Sequence, residues 1–186
     1  MGVWRAARNY MAHPDPLIAA GNLIAIVVAS NQPFYPLYLY FLVGPDIGVS
    51  FFTFLSTPFF IAVPAVARRN AIAGRALLPL AGIGNAVMCA KLFGEASGVE
   101  LFLAPCLVIA AMLFRRSERL VMFGLVGLGL LAYLGLHGRY GAPCHLFSGE
   151  EYDRMRNLNF ASVLTLSAFV GMAFAGALSE IENRRG

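Results

Sequence analysis

The stretch "LVMFGLVGLGLLAYLGL", residues 120–136, carries no charged side chain. Similar runs recur along the chain, separated by clusters of charge at 5–8, 68–75, 91–100, 115–119, 139–156 and 181–185. A helix of about 20 apolar residues spans the hydrocarbon of a bilayer, so this spacing predicts membrane crossings and not a water-soluble core. Composition points the same way. Only 13% of the 186 residues are charged, against about a quarter in a soluble domain. A secretory leader is a poor fit, because the apolar run from Leu17 is long and no small-residue cleavage site follows it.

The expected fold is all-α: a polytopic membrane protein whose single domain, 1–186, is a six-helix transmembrane bundle with no soluble catalytic domain. The spans read as 17–42, 47–67, 76–93, 98–114, 120–137 and 157–180. The first is too long to be straight. Pro33 and Pro36 in "SNQPFYPLYLYF" each remove a backbone hydrogen bond, and Asn31 and Gln32 stand ready to satisfy the freed groups. A re-entrant or interfacial segment at 34–43 is the alternative. Pro58 and Pro64 fall in the second span, and Gly44-Pro45 marks a turn between the two.

Basic residues set the orientation. With both termini cytoplasmic, the inner segments hold Arg5, Arg8, Arg68, Arg69, Arg75, Arg115, Arg116, Arg119, Arg184 and Arg185, and the outer ones only Lys91, Arg139, Arg154 and Arg156. That asymmetry follows the positive-inside rule. It makes 94–98 a short outer hairpin, with Lys91 snorkelling and Glu95 and Glu100 near the headgroups. It leaves one sizeable outer loop, 138–156. The net charge of +4 is explained by orientation, so no nucleic-acid partner is expected.

Chemistry-bearing motifs are sparse. His13 precedes the first span, His137 closes the outer end of the fifth and His145 lies in the outer loop, so none is mid-membrane and paired haem ligands at matched depth are not expected. His137, Cys144, His145, Glu150, Glu151 and Asp153 share the outer side, but their spacing resembles a solvated loop more than a metal site. Cys89, Cys106 and Cys144 form no CxxC unit. Neither cofactor nor metal is expected. Paired hydrolytic carboxylates, a nucleophile elbow and a phosphate loop are missing, and the expectation is that the chain has no catalytic constellation and is not an enzyme.

Polar residues inside the spans suggest a ligand site. Ser50, Thr53 and Thr57 fall on one helical face of the second span. Asn31, Gln32, Tyr35 and Tyr38 reach similar depth on the first, Asn85 lies mid-depth on the third, and Glu100 starts the fourth. The candidate contacts are Asn31, Gln32, Tyr35, Thr53, Thr57, Asn85 and Glu100, walled by Phe51, Phe52, Phe102 and Tyr133. Interhelical hydrogen bonding with an aromatic belt is the alternative. Small residues form two stripes: Gly82, Ala86 and Ala90 on the third span, and Ser167, Gly171, Ala175 and Ser179 on the sixth. Either suits internal packing, and the sixth also suits a homodimer.

The segment "GEASGVELFLAPCLVIAAMLFRRSER" resembles the third-to-fourth hairpin of the six-span membrane module that opens many bacterial class III adenylate and guanylate cyclases and some sensor histidine kinases. The matching positions are Gly94, Gly98, Leu101, Phe102, Leu103, Pro105, Phe114, Arg116 and Arg119. The opening of the sixth span, "RNLNF", fits too. Tyr10, Pro14, Gly21, Pro33, Tyr35 and Tyr38 are similar to the sensors of long-chain hydroxyketone quorum-sensing kinases. The resemblance implies a multi-pass receptor module of the bacterial inner membrane, homodimeric, surrounded by membrane lipids. It would sense an amphiphilic ligand or membrane state and relay it through the sixth helix to a cytoplasmic effector. A small transporter or channel subunit, or an accessory subunit of a larger complex, are the alternatives.

Overall fold

The computed structural model describes residues 2–184. Eight α-helices account for most of them: α1 (Gly2–Met11), α2 (Pro16–Asn31), α3 (Phe34–Val43), α4 (Thr57–Arg69), α5 (Ala71–Phe93), α6 (Leu103–Leu113), α7 (Arg119–Leu136) and α8 (Gly149–Asn183). Local chemistry sets their ends. Asp15 caps α2 by accepting from the Leu17 amide at 3.0 Å, ahead of Pro16 in the first turn. Asn70 alone separates α4 from α5 and caps the latter through the Ala73 amide. Ser148 and Glu151 form a reciprocal capping box that starts α8. The expected loop therefore ends early: 149–156 is helical, and the Ser148–Glu151 spacing was the sequence signal for it.

The proline pair breaks the first span as expected. α2 and α3 meet at an angle of 43°. The second span is less regular than expected. Its first half, Gly48–Ser56, is a 3₁₀ helix and only its second half is α-helical. Nine residues is a long 3₁₀ run, and its hydroxyls reinforce it. Ser50, Thr53 and Ser56 each donate back to the carbonyl three residues earlier, at 2.6, 2.7 and 2.8 Å.

Cross-chain hydrogen bonds define the two ends of the bundle. At one end Arg184 Nη1 donates to the Pro14 carbonyl at 2.8 Å, Arg115 pairs with Asp15, and Arg75 pairs with Glu118. At the other, Arg154 Nη1 donates to the Leu42 carbonyl and Lys91 Nζ to the carbonyls of Tyr140 and Ala142. The hairpin at 94–98 lies at this second end. Gly94 and Gly98 turn it with φ of 85° and 75°, values that L side chains rarely adopt. Every described arginine of the expected inner set belongs to segments at the first end. Arg185 lies outside the described residues.

Four helical stretches are long and apolar enough to cross a membrane: Gly48–Arg69, Ala71–Phe93, Arg116–Leu136 and Gly149–Asn183, with the bent α2–α3 pair a fifth. The expected fourth span falls short of that length. Val99–Leu113 is a shorter apolar helix, and its four 3₁₀ and eleven α residues reach about 25 Å against ~30 Å of hydrocarbon. The surface is compatible with lipid: Phe41, Leu120, Leu131, Leu134 and Met172 are all more than 60% exposed.

Two larger apolar clusters hold the bundle, with a smaller third formed by Ile83, Ala86, Leu103 and Cys106. One, nearer the arginine-rich end, packs Ile24, Phe60, Leu78, Leu113, Val170 and Phe174; the other packs Leu39, Phe93, Val99, Phe147 and Met155. Small residues allow the closest approaches. A Cβ on Gly74 would lie 2.4 Å from Ala67 Cα, and one on Gly82 would lie 2.5 Å from Cys106 Sγ. The Gly82, Ala86 and Ala90 stripe thus serves internal packing. The α8 stripe differs: Gly171, Ala175 and Ser179 are exposed, and a Cβ on Gly171 would meet nothing within 4 Å. The short helix α1 was not anticipated. It is tied to α4 by Tyr10 Oη donating to the Ile61 carbonyl at 2.7 Å and by the Arg68 guanidinium 4.8 Å above the Tyr10 ring.

The Arg75–Glu118 pair joins α5 to the α6–α7 connection. Arg75, 4% exposed, meets both Glu118 oxygens and the Leu113 carbonyl. Replacing one partner strands the other. Arg75→Met is expected to destabilise the protein by about 3 kcal/mol, and Arg75→Lys to restore little, since lysine cannot reproduce the fork. Thermal unfolding of purified protein in detergent measures both; an unchanged midpoint in Arg75→Met would refute the expectation.

Candidate functional site

Between the two larger apolar clusters the bundle encloses a cavity of about 600 Å³. The α2–α3 bend borders it, and Gly82, Ala86, Ala161 and Ser162 contribute small residues to its lining. Val27, Phe60, Leu78, Ile109, Leu166 and Phe169 supply an apolar floor. Among the lining residues, Asn31, Phe34 and Tyr38 beside the bend and Ala161 and Thr165 on α8 are exposed. These mark a lateral mouth between α3 and α8.

A polar network closes one wall. Gln32 Nε2 donates to Ser56 Oγ, and Thr57 Oγ1 donates to Gln32 Oε1. The Ser56 hydroxyl also reaches Asn85 Oδ1 at 2.9 Å. The network ties α2, the 3₁₀ segment and α5 together at mid-depth. Two neighbouring polar atoms make no well-formed hydrogen bond: the buried Tyr35 hydroxyl, whose residue lines the cavity, and Asn159 Oδ1 close to it. Asn159, fully buried on α8, directs its Nδ2 to the Ser97 carbonyl at 2.8 Å.

Asn31, Gln32, Tyr35, Thr53 and Asn85 come together around this cavity. Thr57 touches it only through Gln32, and the side chain of Gln32 bonds to hydroxyls instead of the backbone groups freed by proline. Ser56 was missed because the segment was read at the α-helical period. At the 3₁₀ period of three, Ser50, Thr53 and Ser56 form the buried stripe, at 0%, 4% and 6% exposure. Phe102 lines the cavity, but Phe51 and Phe52 face outward, 54% and 51% exposed, and Tyr133 stacks on His137 instead.

Glu100 lies elsewhere. Val99 and Phe102, three apart on one 3₁₀ turn, face the cavity, and Glu100 points away from it. Its Oε2 meets His137 Nδ1 at 2.7 Å. Glu95 Oε1 accepts from the Gly138 amide in the same corner. The result corrects the expectation that the chain holds no catalytic constellation. Glu95, Glu100 and His137 bring two carboxylates and an imidazole within 4.8 Å of one another, a set of the kind that holds metals or moves protons. Both glutamates and the histidine were visible in the sequence, but a hairpin turn and the end of a helix 37 residues further on share no spacing rule.

The hydrogen bond that His137 donates to Glu100, then the charge of Glu100 and that of Glu95, raise the His137 imidazole above its ordinary value. Burial and the same carboxylates push the Tyr140 phenol up to about 12. Comparison with protein-family models, with curated proteins and with solved structures gives no match.

A raised imidazole contributes stability that is fully present below its unfolded-state value and is lost as pH rises through the folded one. Glu100→Gln removes the main cause, so the His137 midpoint, followed by NMR in metal-free buffer, is expected to fall toward the usual range near 6.5. A midpoint unmoved by the substitution would contradict this assignment of cause.

Proposed function

We propose that this chain is the signal-input module of a membrane receptor, multi-pass in a bacterial inner membrane, with its arginine-rich end in the cytoplasm. The cavity takes an amphiphile from the bilayer. The observation that carries this reading is that the broken first span and α8 share the cavity. Ala161, Ser162, Thr165, Leu166 and Phe169 form one wall, and the same helix continues without a break to Asn183 at the arginine-rich end.

The lining also restricts the ligand. It contains no charged side chain, so a phosphate or carboxylate head would be left uncompensated. Amide and hydroxyl groups of Asn31, Gln32 and Asn85 and the unpaired Tyr35 hydroxyl suit a neutral head bearing hydroxyl or carbonyl groups. The apolar floor suits its chain. Occupancy that favours one spacing of α8 from the α2–α3 bend shifts the population of two bundle arrangements, and α8 delivers the shift to a cytoplasmic effector. The resemblance of 94–119 to cyclase and kinase input modules supports the same class. Uncharged walls favour binding over transport of ions.

Native mass spectrometry of the chain in mild detergent is expected to reveal a co-purifying neutral amphiphile that is lost in Ala86→Phe and in Ser162→Leu, both of which fill the cavity. An empty wild-type protein would overturn the proposal. The exposed Gly171 stripe is proposed as a homodimer contact. Gly171→Leu is expected to weaken self-association by about tenfold or more in sedimentation experiments while leaving the unfolding midpoint of the protomer within about 0.5 kcal/mol. Unchanged association would remove α8 from the interface.

A further inference from the structure

Glu95 and Glu100 belong to the two 3₁₀ turns of the α5–α6 hairpin, Glu95–Ser97 and Val99–Phe102, and His137 follows the last residue of α7. One carboxylate oxygen from each glutamate and one imidazole nitrogen lie within 4.8 Å of one another. The Glu100–His137 hydrogen bond does not complete this group. Glu100 is 7% exposed, and neither its Oε1 nor the buried Tyr140 hydroxyl makes a well-formed hydrogen bond among the described residues, although the two lie close enough to interact with each other. A buried carboxylate oxygen in a native site is normally partnered.

Charge leaves the same gap. With a neutral imidazole the group carries two negative charges. Lys91, the nearby ammonium, is directed to the Tyr140 and Ala142 carbonyls, and Arg139 Nη1 to the Gly135 carbonyl. Among the described residues neither forms an ion pair with Glu95 or Glu100. A divalent cation would supply both the missing charge and a partner for Oε1.

We infer that Glu95, Glu100 and His137 bind one divalent first-row transition-metal ion at the end of the bundle opposite the arginine-rich one. An imidazole nitrogen with two carboxylates suits zinc or manganese. Calcium and magnesium take shells built from oxygen. Bonds of about 2.1 Å place the donors of a tetrahedral site about 3.4 Å apart, so from the 4.8 Å limit the outermost pair closes by up to about 1.4 Å. Half-buried Glu95 and exposed His137 make that movement by loosening the Gly138–Glu95 and Glu100–His137 hydrogen bonds. On binding through Nδ1 the neutral imidazole carries its one proton on Nε2. Three protein ligands leave a fourth position for water, the arrangement of an open site, and the Tyr140 hydroxyl is placed to hydrogen-bond a ligand oxygen. Glu100 shares its turn with Val99 and Phe102, so the ion would stiffen one wall of the cavity. The site stands whether or not the cavity takes an amphiphile.

The test is a titration of the chelator-stripped full chain with Zn²⁺ alone, repeated with Co²⁺ for its d–d absorption. One equivalent is expected, undisplaced by excess Ca²⁺. Binding should weaken by about tenfold or more in both His137→Ala and Glu95→Gln, with the Co²⁺ absorption lost in His137→Ala. His137→Ala strands the buried Glu100, so its unfolding midpoint is measured alongside and the titration is run well below it. Cys144→Ser, which removes the nearby exposed thiol, should bind as wild type does. Absence of a wild-type equivalent, wild-type affinity in both His137→Ala and Glu95→Gln, or loss in Cys144→Ser would each overturn the inference.

Discussion

A polar group in an apolar interior must find a partner inside the protein, because neither packed side chains nor hydrocarbon will supply one. Most of this structure answers that constraint. The backbone is helical almost throughout. Where proline interrupts it, the break is short and the chain resumes as helix within three residues. In the 3₁₀ segment, where helical hydrogen bonding is geometrically poorer, serine and threonine hydroxyls add a second set of bonds to the same carbonyls. Arg75 is tolerated at 4% exposure because Glu118 and the Leu113 carbonyl meet its guanidinium.

The constraint also marks where the structure is unfinished. Among the described residues, four of the five unpaired side-chain atoms gather in two places: Tyr35 and Asn159 near the cavity, and Glu100 and Tyr140 at the carboxylate–imidazole corner, the fifth being Asn22 Oδ1 on α2. The two places lie on opposite faces of the same hairpin, since Val99 and Phe102 face one and Glu100 the other. A neutral hydrogen-bonding amphiphile fits the first and a cation the second. The hairpin thereby connects two sites of different chemistry, and α8 touches it through the Asn159 bond to the Ser97 carbonyl.

Legibility in the sequence followed the range of each interaction. Charge clusters and apolar runs gave the helical segments and their order, because burial or lipid exposure of a whole helix depends on composition over about 20 residues. Pro33 and Pro36 located the bend, since the missing donor is local. The 3₁₀ segment was not legible: no residue type in Gly48–Ser56 marks a period of 3.0 rather than 3.6, so Thr57 was read in place of Ser56. The start of α8 was legible and overlooked, in the Ser148–Glu151 spacing.

The sequence by itself determined that this chain is helical, apolar over lengths suited to a bilayer, broken at its first pair of prolines and asymmetric in arginine. Those properties depend on neighbours within a turn or on sums along a segment. Only the tertiary structure decided which polar groups meet. Gln32 found Ser56 and Thr57, Asn85 joined them, and Glu100 left that company for His137. Such partnerships depend on the rotation of each helix about its axis and on the bend between α2 and α3. Packing across the bundle fixes both, and no spacing along the chain records them.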